Sequence, residues 1–207
     1  MGNTVGSQIN LTPRQKEVLI GTLLGDGALE LNGKNTRLRI DHSVKQKEYV
    51  EWKYKEFSNL VPNKIKYSLQ KIDSTTGKRY GHYKFDTFSN VFLNDFYRIF
   101  YKDRTKRVPR NVIKILTSPL SLAIWFMDDG YKRNDCNALR ISTNSFTKQE
   151  QHLLLECLKN NFKINARIHR QKMAWNIYIP SSEARMFCKI IKPYIIPDMS
   201  YKVHLTP

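Results

Sequence analysis

The stretch SPLSLAIWFMDDG, Ser118 to Gly130, sets an almost wholly apolar run against two adjacent carboxylates and a glycine. Ser118 followed by Pro119 is a good helix start, with serine as N-cap and proline in the first turn. Inside the run Ser121 is the only polar side chain, so the helix is hydrophobic nearly all round and belongs in an interior. Asp128 and Asp129 then fall at its C-terminus, where the helix dipole disfavours negative charge by a few tenths to about 1 kcal/mol. Something has to compensate for them.

The same pattern occurs earlier. LIGTLLGDG (Leu19 to Gly27) aligns with LAIWFMDDG (Leu122 to Gly130) at an offset of 103 residues. LRI at Leu38 matches LRI at Leu139 with a shift of two, and KQ at Lys45 matches KQ at Lys148. The chain reads as two similar halves joined near KDRTKRVPRN: 1–103, with a flexible lead-in over 1–11, and 104–207, with a linker over 104–118. Thr12-Pro13 starts the first helix as Ser118-Pro119 starts the second. VKQKEYVEWKYKEFSNLV and TKQEQHLLLECLKNNF are helical. SNVFLNDFYRIFY is a helix capped by Ser89 or Asn90, and SSEARMFCKIIKPY a helix with a capping motif. Between them lie the hairpin ending in RLRIDHS and the strands NKIKYSLQK, YGHYKFDTF, ALRISTNS, INARIHRQ and AWNIYIP. Each half is helix, two strands, helix, two strands, helix: an α+β protein with antiparallel sheets.

Period-2 alternation assigns faces to those strands. Leu38, Ile40, Ile65, Tyr67, Leu69, Tyr83, Phe85, Leu139, Ile141, Ile164, Ala166, Ile168, Trp175, Ile177 and Ile179 point inward. The outward set includes Arg37, Arg39, Lys64, Lys66, Gln70, His82, Lys84, Arg140, Ser142, Arg167, His169, Gln171, Asn176 and Tyr178. One such strand is an ordinary solvated face. Six strands rich in Arg, Lys, Gln, Asn and His, the donors that read base edges and phosphates, point to a nucleic-acid face. Composition agrees: 35 Lys and Arg against 18 Asp and Glu give a formal net charge of +17, spread along the whole chain. That fits a polyanion partner on a broad folded surface and argues against a membrane-binding patch. No apolar run reaches the length of a membrane span. MGNTVGSQ has Gly6 where a myristoylation site needs Ser or Thr, and it lacks a signal peptide's apolar core. Cys136, Cys157 and Cys188 fit no zinc or redox spacing and predict a reduced, intracellular protein.

Asp26 aligns with Asp129, so each half offers a carboxylate where its buried first helix ends. An Asp-Gly turn explains either copy alone, since glycine routinely stops helices. Two copies at one repeat position, beside a basic face, ask for more. Gly21 and Gly25 give the first helix a bare strip for close approach, whereas the second helix has Ile124 and Asp128 there. Carboxylates brought together repel unless a cation neutralises them. Two carboxylates, a hard divalent cation and a phosphodiester are the components of metal-assisted phosphodiester hydrolysis.

LIGTLLGDG and SPLSLAIWFMDDG resemble the two signature motifs of the LAGLIDADG homing endonucleases, in the single-chain, two-motif branch. Thr22 and Leu24 are departures in the first motif. IIKPYIIPDMSYK near the end strengthens the resemblance, which covers nearly the whole chain. It implies a pseudo-symmetric monomer whose two antiparallel sheets form a saddle on double-stranded DNA, with the motif helices packed at the centre. It implies that Asp26 and Asp129 are catalytic metal ligands for Mg²⁺ or another divalent cation such as Mn²⁺, with Asp128 at the preceding motif position. Lys106, before VPRN, and Lys202, in MSYK, match the basic residues set beside scissile phosphates. The implied activity is intron homing: site-specific double-strand cleavage at a long, weakly palindromic or non-palindromic target, leaving short 3′ overhangs. The main alternative is a maturase acting on its host intron RNA, and a further one is a DNA-binding regulator without catalysis. A wealth of Lys, Asn, Ile and Tyr hints at an AT-rich genome, such as an organelle's; a prokaryotic cytoplasm is the other location expected.

Overall fold

The computed structural model describes residues 10–171 and 174–205; the first nine residues of the expected lead-in lie outside the described residues. In order, the elements are α1 (Pro13–Leu24), β1 (Ala28–Asn32), β2 (Asn35–Ser43), α2 (Lys47–Glu56), β3 (Lys66–Leu69), β4 (Gly81–Asp86), α3 (Val91–Phe100), β5 (Tyr101–Lys102), β6 (Thr105–Lys106) and α4 (Val112–Ile115). There follow α5 (Pro119–Asp129), β7 (Gly130–Lys132), β8 (Leu139–Ile141), α6 (Lys148–Phe162), β9 (Arg167–Gln171), β10 (Ala174–Ile179) and α7 (Ser181–Ile191). Two compact units result. One takes the described residues up to Lys16 together with Asp26–Arg98; the other takes Glu17–Gly25 together with the described residues from Ile99 on.

In the first unit the sheet order is β1-β2-β4-β3, antiparallel throughout. Leu29, Leu38, Ile40 and Phe85 are buried, as are Tyr49 and Val50 of α2 and Phe57 just after it. Tyr54 of α2 meets Phe85 edge-on at 5.4 Å. The inward face expected of KIKYSLQ is a correction: Tyr67 and Leu69 are 56% and 55% exposed. Alternation alone does not place a strand under a helix. β3 is an edge strand, and α2 packs chiefly on β2 and β4. Asn90 starts α3, accepting from the Phe92 amide at 3.4 Å.

The second unit has the order β7-β8-β10-β9. Every residue of α5 from Leu120 to Asp128 is buried, as its apolar circumference requires. Phe126 meets Phe187 of α7 at 5.1 Å. β7 begins at Gly130 with no break after α5, which is why the sequence hid it. The capping motif expected on α7 is also a correction. Pro180 precedes that helix without a side-chain cap, and Glu183 accepts instead from the Asn165 amide and side chain at 3.2 Å. The capping box belongs to α6, where Thr147 and Glu150 bond reciprocally.

The segment 104–118, read as a linker, is ordered. β5 and β6 form a tight hairpin with Asp103 at φ 50° and Arg104 at φ 61°, the two left-handed residues of a type I′ turn. After it, α4 packs on α6, where the Asn161 amide donates to the carbonyls of Ile113 and Leu116, each at 2.8 Å.

Candidate active site and nucleic-acid interface

Within the second unit α1 and α5 touch backbone to side chain along the bare strip. A Cβ on Gly21 would lie 2.6 Å from Cβ of Ile124, and one on Gly25 would lie 2.5 Å from Oδ2 of Asp128. The two residues that fill the strip are the pair the second repeat carries in place of its glycines. The upper ends are tied by Glu17: its carboxylate accepts from the Ser118 hydroxyl at 2.7 Å and its carbonyl from the Ser121 hydroxyl at 2.7 Å. Asp128, 7% exposed, is therefore a packing residue against Gly25; Asp129 beyond it is half-buried, its carbonyl accepting from the Ser142 amide at 3.0 Å.

A lysine bonds the terminal carbonyls of each motif helix. Lys106, carried by β6, donates to the Gly25 carbonyl at 2.5 Å. Lys202, 7% exposed in the 3₁₀ turn 197–203, donates to the carbonyls of Met127 at 2.5 Å and Asp128 at 3.3 Å. A cation on the last carbonyls satisfies groups no helical amide can reach and opposes the negative end of the dipole. Tyr131, Lys132, Arg133, Asn134, Tyr201 and His204 line a hollow with Lys202, basic enough to receive a phosphate. Lys132, Arg133 and His204 were not picked out from sequence, being three among many basic residues.

In the first unit Asp26 follows Gly25 directly, and its side chain is 43% exposed. His42 of β2, buried at 3% exposure, brings Nδ1 to 3.5 Å from Oδ2 of Asp26 and 3.1 Å from Oε1 of Gln46. Behind it, the fully buried Lys53 places Nζ 3.3 Å from Nε2 of His42 and 4.4 Å from the centre of the Tyr49 ring. Neither His42 nor Lys53 was singled out from sequence, although Lys53 lies on the buried row of α2 with Tyr49, at helical spacing. Carboxylate oxygens with an open side, as on Asp26, suit a hard divalent cation.

The outward faces are charged as expected, with two differences. Arg37 and Arg39 are held by carboxylates: Arg37 and Arg39 reach Glu30 at 3.0 Å and 2.6 Å, and Nε of Arg39 donates to Asp86 at 2.9 Å. Asp86 raises the Arg39 pKa by hydrogen bond and charge, against the opposing effect of burial. His82 meets Asp41 at 2.7 Å. Lys66 sits directly across from Lys84, and Lys64 and Gln70 are exposed beside them. In the second sheet Arg167 is exposed, and His169 stacks on Tyr178 with centroids 4.1 Å apart and planes at 3°. Desolvation, then Arg140, Arg133 and Arg167, lower the His169 pKa, so the ring is neutral near pH 7. Arg140 lies on β8 and Ser142 just beyond it, and Gln171 pairs with Ala174. Asn176 is a correction. Its side chain is 7% exposed and accepts from the Thr143 amide at 3.3 Å, so it braces the sheet where alternation placed it on the surface. The buried thiols of Cys157 and Cys188 have pKa values pushed up by desolvation, to about 12 and about 11, and stay protonated.

No helix among the described residues is long and apolar enough to cross a membrane. The LAGLIDADG DNA endonuclease family model matches residues 16–187. Over 192 residues the chain is 33% identical to the cytochrome b mRNA maturase bI2 of Debaryomyces hansenii, covering 90% of this chain and 72% of that one. It is 30% identical over 211 residues to the DNA endonuclease I-ChuI of Chlamydomonas applanata, covering 94% and 96%. Among solved structures, the homing endonuclease I-WcaI bound to its DNA recognition sequence superposes with a TM-score of 0.88 at 27% identity, covering 96% of this chain and 89% of that one. Two motif helices with an aspartate at or just past the end, αββαββα order in each repeat and a family match over most of the length leave one assignment: this chain belongs to the LAGLIDADG DNA endonuclease family.

Proposed function

We propose that the chain is a metal-dependent, site-specific endonuclease that cuts both strands of DNA as a monomer built from repeats 1–103 and 104–207. The observation that carries this reading is the doubled constellation: each motif helix runs into an aspartate, Asp26 or Asp129, and has a lysine on its terminal carbonyls, Lys106 or Lys202. Asp26 and Asp129 supply oxygen ligands for Mg²⁺ or Mn²⁺. A bound divalent cation supplies Lewis acidity toward a phosphate oxygen and makes a water more acidic. Lys106 and Lys202 hold positive charge where the phosphate gains negative charge. Arg37, Arg39, Lys64, Lys66, Gln70, His82 and Lys84 contact one half of a long, non-palindromic or weakly palindromic duplex target. Arg140, Ser142, Arg167, His169, Gln171 and Tyr178 contact the other, and the products carry short 3′ overhangs. The gene's home is an organelle or a prokaryote.

The similarity to a maturase of Debaryomyces hansenii favours a second activity on host intron RNA. The test is cleavage of a randomised duplex library in Mg²⁺ and in excess EDTA. Cleavage at one recoverable consensus, lost in EDTA and in Asp26→Asn and Asp129→Asn, is expected. Since most DNA contacts lie elsewhere, both variants should bind DNA within about tenfold of wild type, roughly 1.4 kcal/mol. Uncut DNA together with tight binding to intron RNA would favour the maturase; full cleavage in EDTA would overturn the metal.

A further inference from the structure

A lysine with no exposed surface, on the core side of a helix, is costly, and nothing in the sheet packing requires it. Its surroundings say what it does. An ammonium has three donors and no lone pair, so Lys53 can only donate to Nε2 of His42, 3.3 Å away. Nε2 is then the bare nitrogen, and the ring proton sits on Nδ1. That N–H donates to Oε1 of Gln46 at 3.1 Å and stands 3.5 Å from Oδ2 of Asp26. The Tyr49 ring tilts against the imidazole at 5.3 Å and takes the Lys53 charge on its face, so neither group can swing away.

We propose that Lys53 and His42 form a positioning pair that fixes the Asp26 carboxylate for metal, a role resting on the assignment of Asp26 as a metal ligand. Lys53 sets the tautomer; His42 then turns its N–H edge, hydrogen-bonded to Gln46, toward Oδ2 of Asp26 at 3.5 Å and so fixes where that carboxylate can lie. Outer partners of this kind orient a ligand, and losing them commonly weakens metal binding or activity by about 10–100-fold. The device is one-sided. Counted from the shared LRI, the second repeat has Thr143 where the first has His42, and Thr143 spends its hydroxyl on the Ile177 amide at 3.1 Å.

The test uses the full chain, Mn²⁺ titrations followed by electron paramagnetic resonance, imidazole ¹⁵N spectra, and cleavage of a plasmid bearing a site recovered from the randomised library. Lys53→Met keeps the volume without the charge. It should fold with an unchanged or higher melting temperature, lose the pure Nδ1–H tautomer, bind Mn²⁺ at least about tenfold more weakly and cut correspondingly slower. His42→Leu should do the same. His42→Asn places an amide N–H near the position of Nδ1 and should recover most of the loss. DNA affinity should not change in any of the three. If Lys53→Met and His42→Leu match wild type in Mn²⁺ affinity and rate while Asp26→Asn loses both, the pair has no positioning role. If Asp26→Asn itself binds Mn²⁺ and cuts normally, the metal assignment beneath the proposal is wrong.

Discussion

Gly25 shows how much one missing methyl controls. Alanine in place of glycine ordinarily gains about 0.4–1 kcal/mol where the backbone conformation suits it. Here the added Cβ would lie 2.5 Å from the Asp128 carboxylate in a site with no slack, so overpacking of roughly 1–3 kcal/mol should win. Gly25→Ala should therefore lower the melting temperature by several degrees, at about 2–4 °C per kcal/mol for a chain of this size. A melting temperature equal to wild type would mean the helices do not rely on that contact. His169 offers a test of opposite character. Its folded pKa is lowered, so the folded state binds its proton less readily than the unfolded chain does. Its contribution to stability is then intact above the ordinary histidine value near 6.5 and is lost as pH falls through that value toward the folded one. The loss in melting temperature between pH 7.5 and 5.5 should be smaller in His169→Gln than in wild type; equal slopes would refute the assignment. At this scale the sequence disclosed the aspartates by their repetition and the glycine strip by its four-residue spacing on one helix. It did not disclose His42 and Lys53, whose meaning arises only when a strand and a helix bring distant side chains together. Asn176 misled because period-2 alternation reports which way a side chain points and not whether something covers it.

Among the elements, the β5–β6 hairpin has the most to do for its size, because it delivers Lys106 to the end of α1. Its turn puts Arg104 in the left-handed region, which costs an L-residue about 1–2 kcal/mol and costs glycine nothing sterically. Arg104→Gly should stabilise the protein by roughly 0.5–1 kcal/mol after glycine's extra chain entropy is deducted, readable as a rightward shift of the urea midpoint at unchanged slope. An unchanged or lower midpoint would mean the turn gains nothing from glycine. The main helices and the strands β2, β4 and β10 were legible, since each carries a cap, a period or both. The hairpin was not, because KDRTKR has neither Asn-Gly nor Asp-Gly at the turn and its polar run reads as a linker. β3 was found but misjudged, since an edge strand keeps its alternation after it has passed beyond the covering helix.

For the whole molecule, charge decides behaviour. A net charge of +17 with Lys66 set directly across from Lys84 is a self-repelling arrangement that a bound polyanion would relieve. If roughly 6–10 phosphates are engaged, affinity for DNA should fall about 10³–10⁵-fold between 50 and 200 mM salt. Lys66→Glu should relieve the repulsion, hold or raise the melting temperature, and flatten the log–log salt plot by roughly one phosphate contact. A salt plot that is flat for wild type would contradict the basic-face reading. The unmatched strip on the motif helices has a historical consequence. The first repeat supplies a socket, Gly21 and Gly25, and the second a plug, Ile124 and Asp128. Two sockets facing each other would let the backbones close to a shorter spacing than the present pair has, and two plugs would collide. Once a duplicated ancestor had divided those parts between its halves, neither half could return to pairing with a copy of itself at the same spacing. Grafting between relatives to create new targets should then succeed only when donor and recipient contribute opposite members of the joint.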